Sequence, residues 1–150
     1  MTSINLALFQ PEIPQNTGAA MRLTACMGIP LDIIEPTTFI WDDAKIRRSA
    51  MDYIDYVNLK RHPSWESFRT TYTGRRIVLL TTKSDQSYLD FAFREGDLLL
   101  AGQESAGVPE HVHQSCDARL TIPMAAGLRS MNVVNACAMV VGEALRHIRK

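Results

Sequence analysis

The side chains equipped for chemistry collect in three short stretches punctuated by proline and glycine. Pro11-Glu12-Ile13-Pro14-Gln15-Asn16-Thr17-Gly18 leads on to Arg22. Gly102-Gln103-Glu104-Ser105-Ala106-Gly107-Val108-Pro109 follows an apolar run. Ile122-Pro123-Met124 is followed, after Ala125–Leu128, by Arg129-Ser130-Met131-Asn132. In the first stretch two prolines stiffen the backbone, and Asn16 suits a helix N-cap. Arg22, about two turns into that helix, is by spacing alone a surface residue. The glycines of the second stretch let the backbone come close to a ligand. It is not a Walker loop, since no Gly-Lys-Ser/Thr follows, and it lacks the dinucleotide spacing G-x-G-x-x-G. In the third, Ser130 or Asn132 reads as the N-cap of the helix that follows. Metal chemistry finds no support: Cys26, Cys116 and Cys137 lack ligand spacing, and His111 and His113, two apart, would point away from each other on a helix.

These stretches need elements to hold them. Ile4–Phe9, Leu31–Ile34, Arg76–Leu80, Asp97–Ala101 and Ala118–Ile122 are apolar runs of strand length, and Val57–Leu59 is a shorter one. Helical patterns cover Thr17–Met27, which Gly28 ends, then Asp42–Ala50 and Ser64–Thr71, the last capped by Ser64. The strongest helix is Asn132–Arg149, where Val133, Cys137, Val140, Val141, Ala144, Leu145 and Ile148 mark one face. Strands alternating with helices imply an α/β fold with a mainly parallel sheet flanked by helices, here one domain spanning 1–150. Ligands of such sheets gather beyond the carboxyl ends of the strands, which is where the three stretches fall. No stretch approaches the ~18 apolar residues of a membrane span. Met1-Thr2-Ser3-Ile4-Asn5 has no signal-peptide character. Each cysteine sits beside apolar residues, so buried free thiols in a reducing, cytoplasmic compartment are expected.

Taken together, P-x-I-P-x-N-x-G-x-x-x-R, G-x-E-x-x-G-x-P and I-P-M…R-S-x-N resemble the three motifs of the SPOUT RNA methyltransferases, in the family's order and over the whole chain. Ile33-Ile34-Glu35-Pro36, Phe39-Ile40-Trp41-Asp42-Asp43, Arg47-Arg48 and Asp52-Tyr53 look like the single-domain members that methylate the wobble ribose of tRNA. The resemblance implies a Rossmann-like sheet with a deep C-terminal trefoil knot, a homodimer, and S-adenosyl-L-methionine as cofactor with S-adenosyl-L-homocysteine as product. It implies Leu80, Gly102, Ile122 and Ser130 as cofactor contacts, with Met124 and Met131 as a neighbouring wall, and no metal. It implies Arg22 as the residue that activates the hydroxyl, with Asn16, Glu104, Ser130 and Asn132 in support. A guanidinium stays protonated, so electrostatic stabilisation of the 2′-oxygen suits Arg22 better than proton abstraction. Glu104 would orient Arg22 or accept a proton through it.

The balance of sixteen basic and sixteen acidic residues gives no global pull on a nucleic acid. Basic residues do cluster at Lys45/Arg47/Arg48, Lys60/Arg61, Arg75/Arg76 and Arg146-His147-Ile148-Arg149-Lys150, each by itself a solvated face. Trp41 would stack on an anticodon-loop base with Arg47 and Arg48 on the backbone, or else be buried. Three other readings compete: the same reaction on rRNA or elsewhere on tRNA, a non-catalytic RNA-binding module, and an unrelated nucleotide-binding α/β domain.

Overall fold

The computed structural model describes residues 3–128 and 131–149. Its strands are β1 (Asn5–Phe9), β2 (Leu31–Ile34), β3 (Leu59–His62), β4 (Ile77–Leu80), β5 (Leu98–Ala101) and β6 (Ala118–Leu120). They form one parallel sheet in the order β3-β2-β1-β5-β4-β6. The helices are α1 (Pro14–Met27), α2 (Asp43–Ala50), α3 (Trp65–Thr71), α4 (Glu110–Ser115) and α5 (Val133–Ile148), with 3-10 turns at Met51–Tyr56 and Tyr88–Asp90.

Every residue of β1 is buried because both faces of the sheet are covered. Leu6 and Leu8 join the core that also holds Ala20 and Met21 of α1, Ile46 of α2, and Val140, Val141 and Ala144 of α5. Ala7 and Phe9, one pleat out of phase, join the opposite core with Trp65 and Phe68 of α3 and Val112 of α4. At one edge, β3 exposes Lys60 and Arg61, charges that discourage further strand pairing. Near the other edge, Thr121 runs beside the Thr81–Asp90 connection: its amide donates to Gln86 O (2.8 Å), and Tyr88 N–H donates to its carbonyl (2.9 Å).

Several expectations shift. The helix expected from Thr17 starts at Pro14, whose fixed φ suits the first helical position; Ile13 is its N-cap, and Asn16 lies inside the first turn rather than capping it. The strand expected at Val57–Leu59 begins only at Leu59, since Met51–Tyr56 coils tightly and Val57 N–H closes that coil on Ile54 O. Ser64 and Asn132 cap their helices as the sequence suggests, whereas Asp42, expected as the first residue of its helix, caps it instead. Asp42 accepts from Ala44 and Lys45, Ser64 from Ser67, and Asn132 from Val134 and Asn135. Cys116 and Cys137 are buried, and desolvation pushes both thiols up to about 12, but Cys26 is exposed on the outer face of α1. Arg75 and Arg76 are half-buried and each hydrogen-bonded through Nε and Nη2 within the fold, rather than a solvated face.

Gly18 explains how closely α1 meets α2. A Cβ there would lie 2.1 Å from Ser49 Cβ, so no larger residue fits without parting the helices. On the same side, Arg22 Nη1 donates to the carbonyl of Ser49 at the end of α2.

Candidate active site

β1 pairs directly with β5, so the loops that leave their carboxyl ends start side by side. At the end of β1, Gln10 takes φ 44°, which a non-glycine residue seldom occupies, and its carbonyl receives Gln103 Nε2 at 3.0 Å. The second loop closes on itself through Gln103 N–H to Gly107 O (2.8 Å) and Gly107 N–H to Gln103 O (3.0 Å). This closure is why position 102 is glycine: a Cβ there would sit 2.6 Å from the Gly107 carbonyl carbon.

Two carboxylates lock the loops together, each reaching into the other's. Glu104 accepts from Glu12 N–H and from Asn16 Nδ2, both at 3.2 Å. Glu12 accepts from Ser105 N–H at 2.9 Å and from Ser105 Oγ at 2.8 Å. Those bonds hold the Glu12 carboxyl below its ordinary value. From the third loop, Asn132 Nδ2 donates to Asn16 Oδ1 at 3.3 Å. Asn132 cannot turn its amide around, because its Oδ1 accepts from Val134 N–H (2.9 Å) and Asn135 N–H (3.2 Å) at the start of α5. The donors therefore run in one direction: Asn132 to Asn16 to Glu104.

This relay stands at the edge of a cleft of about 630 Å³ beyond the carboxyl ends of β4, β5 and β6. Leu80, Gly102 and Ile122 line it, as do Met124 and Met131. Asn16, Glu104 and Asn132 line it too, so three of the five polar residues singled out from the sequence meet here. Ser130 lies outside the described residues. Arg22 does not join them: six residues after Asn16 it projects about 120° away around α1, toward Ser49. Glu12, Gln103 and Ser105, which hold the two loops together, are not singled out by the sequence. Their only signal is their place within two motif-bearing loops, because the contact depends on β1 lying next to β5.

His111 lines a different cleft from His113, as residues two apart on α4 should. Among the described residues no group of three or more His, Cys, Asp or Glu is placed to hold a metal ion. Trp41 is half-buried; its indole N–H donates to Asp43 Oδ1 at 2.9 Å. The Arg61 guanidinium lies 4.4 Å above its ring, and Phe39 packs near-parallel at 6.2 Å. A base stacking on Trp41 must therefore find the part of the ring that Arg61 and Phe39 leave open. Arg47 and Arg48 are exposed, Arg47 loosely paired with Asp55 at 3.7 Å.

A family model for the SpoU rRNA Methylase family matches residues 3–142. The chain belongs to this family. Among its relatives is the tRNA (cytidine(34)-2′-O)-methyltransferase of Beijerinckia indica, 56% identical over 145 residues, covering 95% of this chain and 91% of that one. The enzyme of the same name from Escherichia coli K12 is 38% identical over 147 residues, covering 97% and 94%. A solved structure from work on "the 2-OH methylation of C/U34 on tRNA" superposes with a TM-score of 0.92 at 36% identity, covering 100% of this chain and 93% of its own. A second methylase structure, AviRb from Streptomyces viridochromogenes with AdoMet bound, gives 0.82 at 28% identity and covers 96% of this chain and 60% of its own. The α/β sheet and its motif-bearing loops are thus those of the SpoU methylases.

Proposed function

We propose that this SpoU methylase transfers a methyl group from S-adenosyl-L-methionine to the ribose 2′-hydroxyl of the wobble nucleotide of tRNA, position 34 in the names of its relatives. The substrate base is a cytidine or modified uridine, in leucine tRNAs. One observation carries the reading: the relay Glu104–Asn16–Asn132 ties all three motif loops together at the edge of a single cleft. The relatives named for that reaction support it by matching nearly the full length of the chain.

The residues present fit the cofactor. A cleft of about 630 Å³ falls in the range of roughly 300–1,000 Å³ usual for small-molecule sites. Leu79, Leu80, Leu120, Ile122 and Val133 give it an apolar wall suited to a flat heteroaromatic base, beside polar residues such as Thr81, Thr121 and Asn132. Leu80, Gly102 and Ile122 would hold the adenosine half, together with Ser130. When bound, S-adenosyl-L-methionine supplies a methyl group already activated by its sulfonium, and S-adenosyl-L-homocysteine remains. The protein's task is then alignment and charge stabilisation. Both carboxylate oxygens of Glu104 are engaged, by Glu12 N–H and Asn16 Nδ2, so Glu104 orients Asn16. Asn16 and Asn132 present a fixed polar edge to the ribose. Arg22, always charged, stabilises the oxygen as its proton departs to solvent water.

Arg22 faces α2 within one chain, so it serves a site completed by a second copy. The homodimer belongs to this reading, with α1 and α5 as its interface. So do a single domain over 1–150, a knot where the chain passes the Thr81–Asp90 connection, and a cytoplasmic location. No helix among the described residues is long and apolar enough to cross a membrane. The test is incubation with unmodified tRNA and a labelled methyl donor, followed by mapping of the label. Label on the wobble ribose is expected. Label elsewhere on tRNA, on rRNA only, or nowhere would overturn the assignment.

A further inference from the structure

The strands that carry the active-site loops at their carboxyl ends carry a second cleft at their amino ends. It holds about 690 Å³ and is lined by Arg69 from the last turn of α3, Arg75 and Arg76 before β4, and Arg94 before β5. Two carboxylates, Glu66 and Asp117, also line it. In a chain whose charges cancel overall, the grouping of four guanidinium groups stands out.

Two of the acids nearby are engaged; Glu66, exposed, makes no hydrogen bond or ion pair among the described residues and offsets one of the four guanidinium charges. Asp97, wholly buried, accepts from Arg76 Nε and Nη2, both at 2.8 Å, and from Arg94 N–H at 3.0 Å. Asp117 accepts from Ile77 N–H at 2.8 Å. Arg75 is held by neutral acceptors only, Gly96 O at 2.8 Å and Asn5 Oδ1 at 3.1 Å, with its guanidinium 5.0 Å from the centre of the Tyr72 ring. Burial lowers its affinity for the proton, so an anion in the cleft would favour the charged form. The side chains of Arg69 and Arg94 are exposed and make no hydrogen bond or ion pair among the described residues. Two braced cations and two unengaged ones converge on a space large enough for a phosphodiester. Planar guanidinium forks match phosphate oxygens.

We propose that this cleft is a second contact for the RNA substrate, gripping backbone phosphates away from the nucleotide in the active site. The proposal rests on the reading that tRNA is the substrate. β4 and β5 are four residues each, so the clefts at their two ends are at least ~13 Å apart. One nucleotide cannot fill both; a neighbouring segment of the same polynucleotide can.

The experiment compares the parent protein with Arg69→Ala/Arg94→Ala, and with Arg94→Glu as a second variant. Binding is measured by fluorescence anisotropy against full tRNA and against a short oligonucleotide of the anticodon loop, from low to moderate salt. Melting temperature and cofactor affinity of each variant are measured alongside. The double variant is expected to bind tRNA roughly tenfold or more weakly at ~0.1 M salt, with the slope of log K against log salt shallower by about 1.4–1.8. Arg94→Glu should weaken tRNA binding at least as much per site. Affinity for the loop oligonucleotide and kcat at saturating tRNA should stay within twofold of the parent. Unchanged tRNA affinity and slope in both variants, or equal losses on tRNA and oligonucleotide, would overturn the second contact while leaving the tRNA reading intact. A parent protein that binds no tRNA would overturn both.

Discussion

Replacing Glu104 by Gln tests the donor direction of the relay. The substitution keeps size and shape but turns one acceptor into a donor. If the introduced glutamine keeps its oxygen toward Glu12 N–H, its NH2 faces Asn16 Nδ2, two donors at 3.2 Å. Turning the glutamine amide over moves the same conflict to Glu12 N–H. Turning Asn16 over instead brings its NH2 against Asn132 Nδ2 at 3.3 Å, and Asn132 is fixed by the two amides it caps. One polar pair is left unmade whichever way the amides turn. That costs about 1–3 kcal/mol, or a fall in kcat/KM of roughly 5- to 150-fold.

The relay also predicts its own repair. Asn16→Asp alone sets two carboxylates against each other and should lose a similar amount. In the combination Asn16→Asp/Glu104→Gln, the new aspartate accepts from both the glutamine and Asn132. The glutamine oxygen still accepts from Glu12 N–H, and the pair's net charge is unchanged. The double variant should return to within about threefold of the parent, a coupling of about 2 kcal/mol. Steady-state and single-turnover rates on tRNA, with calorimetry for the cofactor, read this out. Losses that simply multiply in the double variant, with cofactor binding intact, would show that Glu104 matters for its own charge. The positioning argument would then be wrong.

Gly102→Val must push the Gly107 backbone away from a Cβ 2.6 Å off, breaking the loop's closure; cofactor affinity should fall roughly tenfold or more. Equal affinities by calorimetry would remove Gly102 from the pocket wall. Arg22→Ala should lower the single-turnover rate about 100-fold with little change in cofactor affinity, and Arg22→Lys should restore little of it. Because Arg22 also holds Ser49 O, a modest drop in melting temperature should accompany the alanine variant; an unchanged rate would remove Arg22 from the chemistry. The Glu12 carboxyl is held down by Ser105, so its contribution is present above the ordinary value of 4.5 and lost as pH falls through the depressed one. Ser105→Ala should move the Glu12 titration, followed by NMR, up toward 4.5; no movement would show that the clamp does not form in solution.

What the sequence made legible was local, and what it hid was a matter of adjacency. β1, β2, β4 and β5 announce themselves because a strand buried on both faces is mostly apolar; the buried exceptions, Asn5 and Asp32, hydrogen-bond each other at 2.8 Å. The caps at Ser64 and Asn132 follow from side chains that serve their own neighbours. α4 has a single buried side chain, Val112, and so leaves no periodic signal in six residues. β3 carries Lys60, Arg61 and His62, polar residues that read as loop; His62 is buried only because Asp32 meets it at 2.7 Å from the next strand. Asn16 reads as a cap only while Pro14 is counted in the turn and not as the first residue of the helix.

The same distinction governs the site. Motif spacing identifies Asn16, Glu104 and Asn132 one loop at a time, yet the first bond of their relay joins residues 88 apart in sequence and the second joins residues 116 apart. Those bonds exist because the sheet places β5, not β4, beside β1, an order that strand-by-strand reading leaves open. Glu12 and Ser105 then follow: once the two loops are neighbours, a carboxylate and a hydroxyl at their tips become a clamp. The amino-end cleft has the same origin. Arg69, Arg75, Arg76 and Arg94 come from turns that meet only because α3 packs beside the adjacent starts of β4 and β5. In this fold, sheet order turns scattered polar residues into sites at both ends of the same strands.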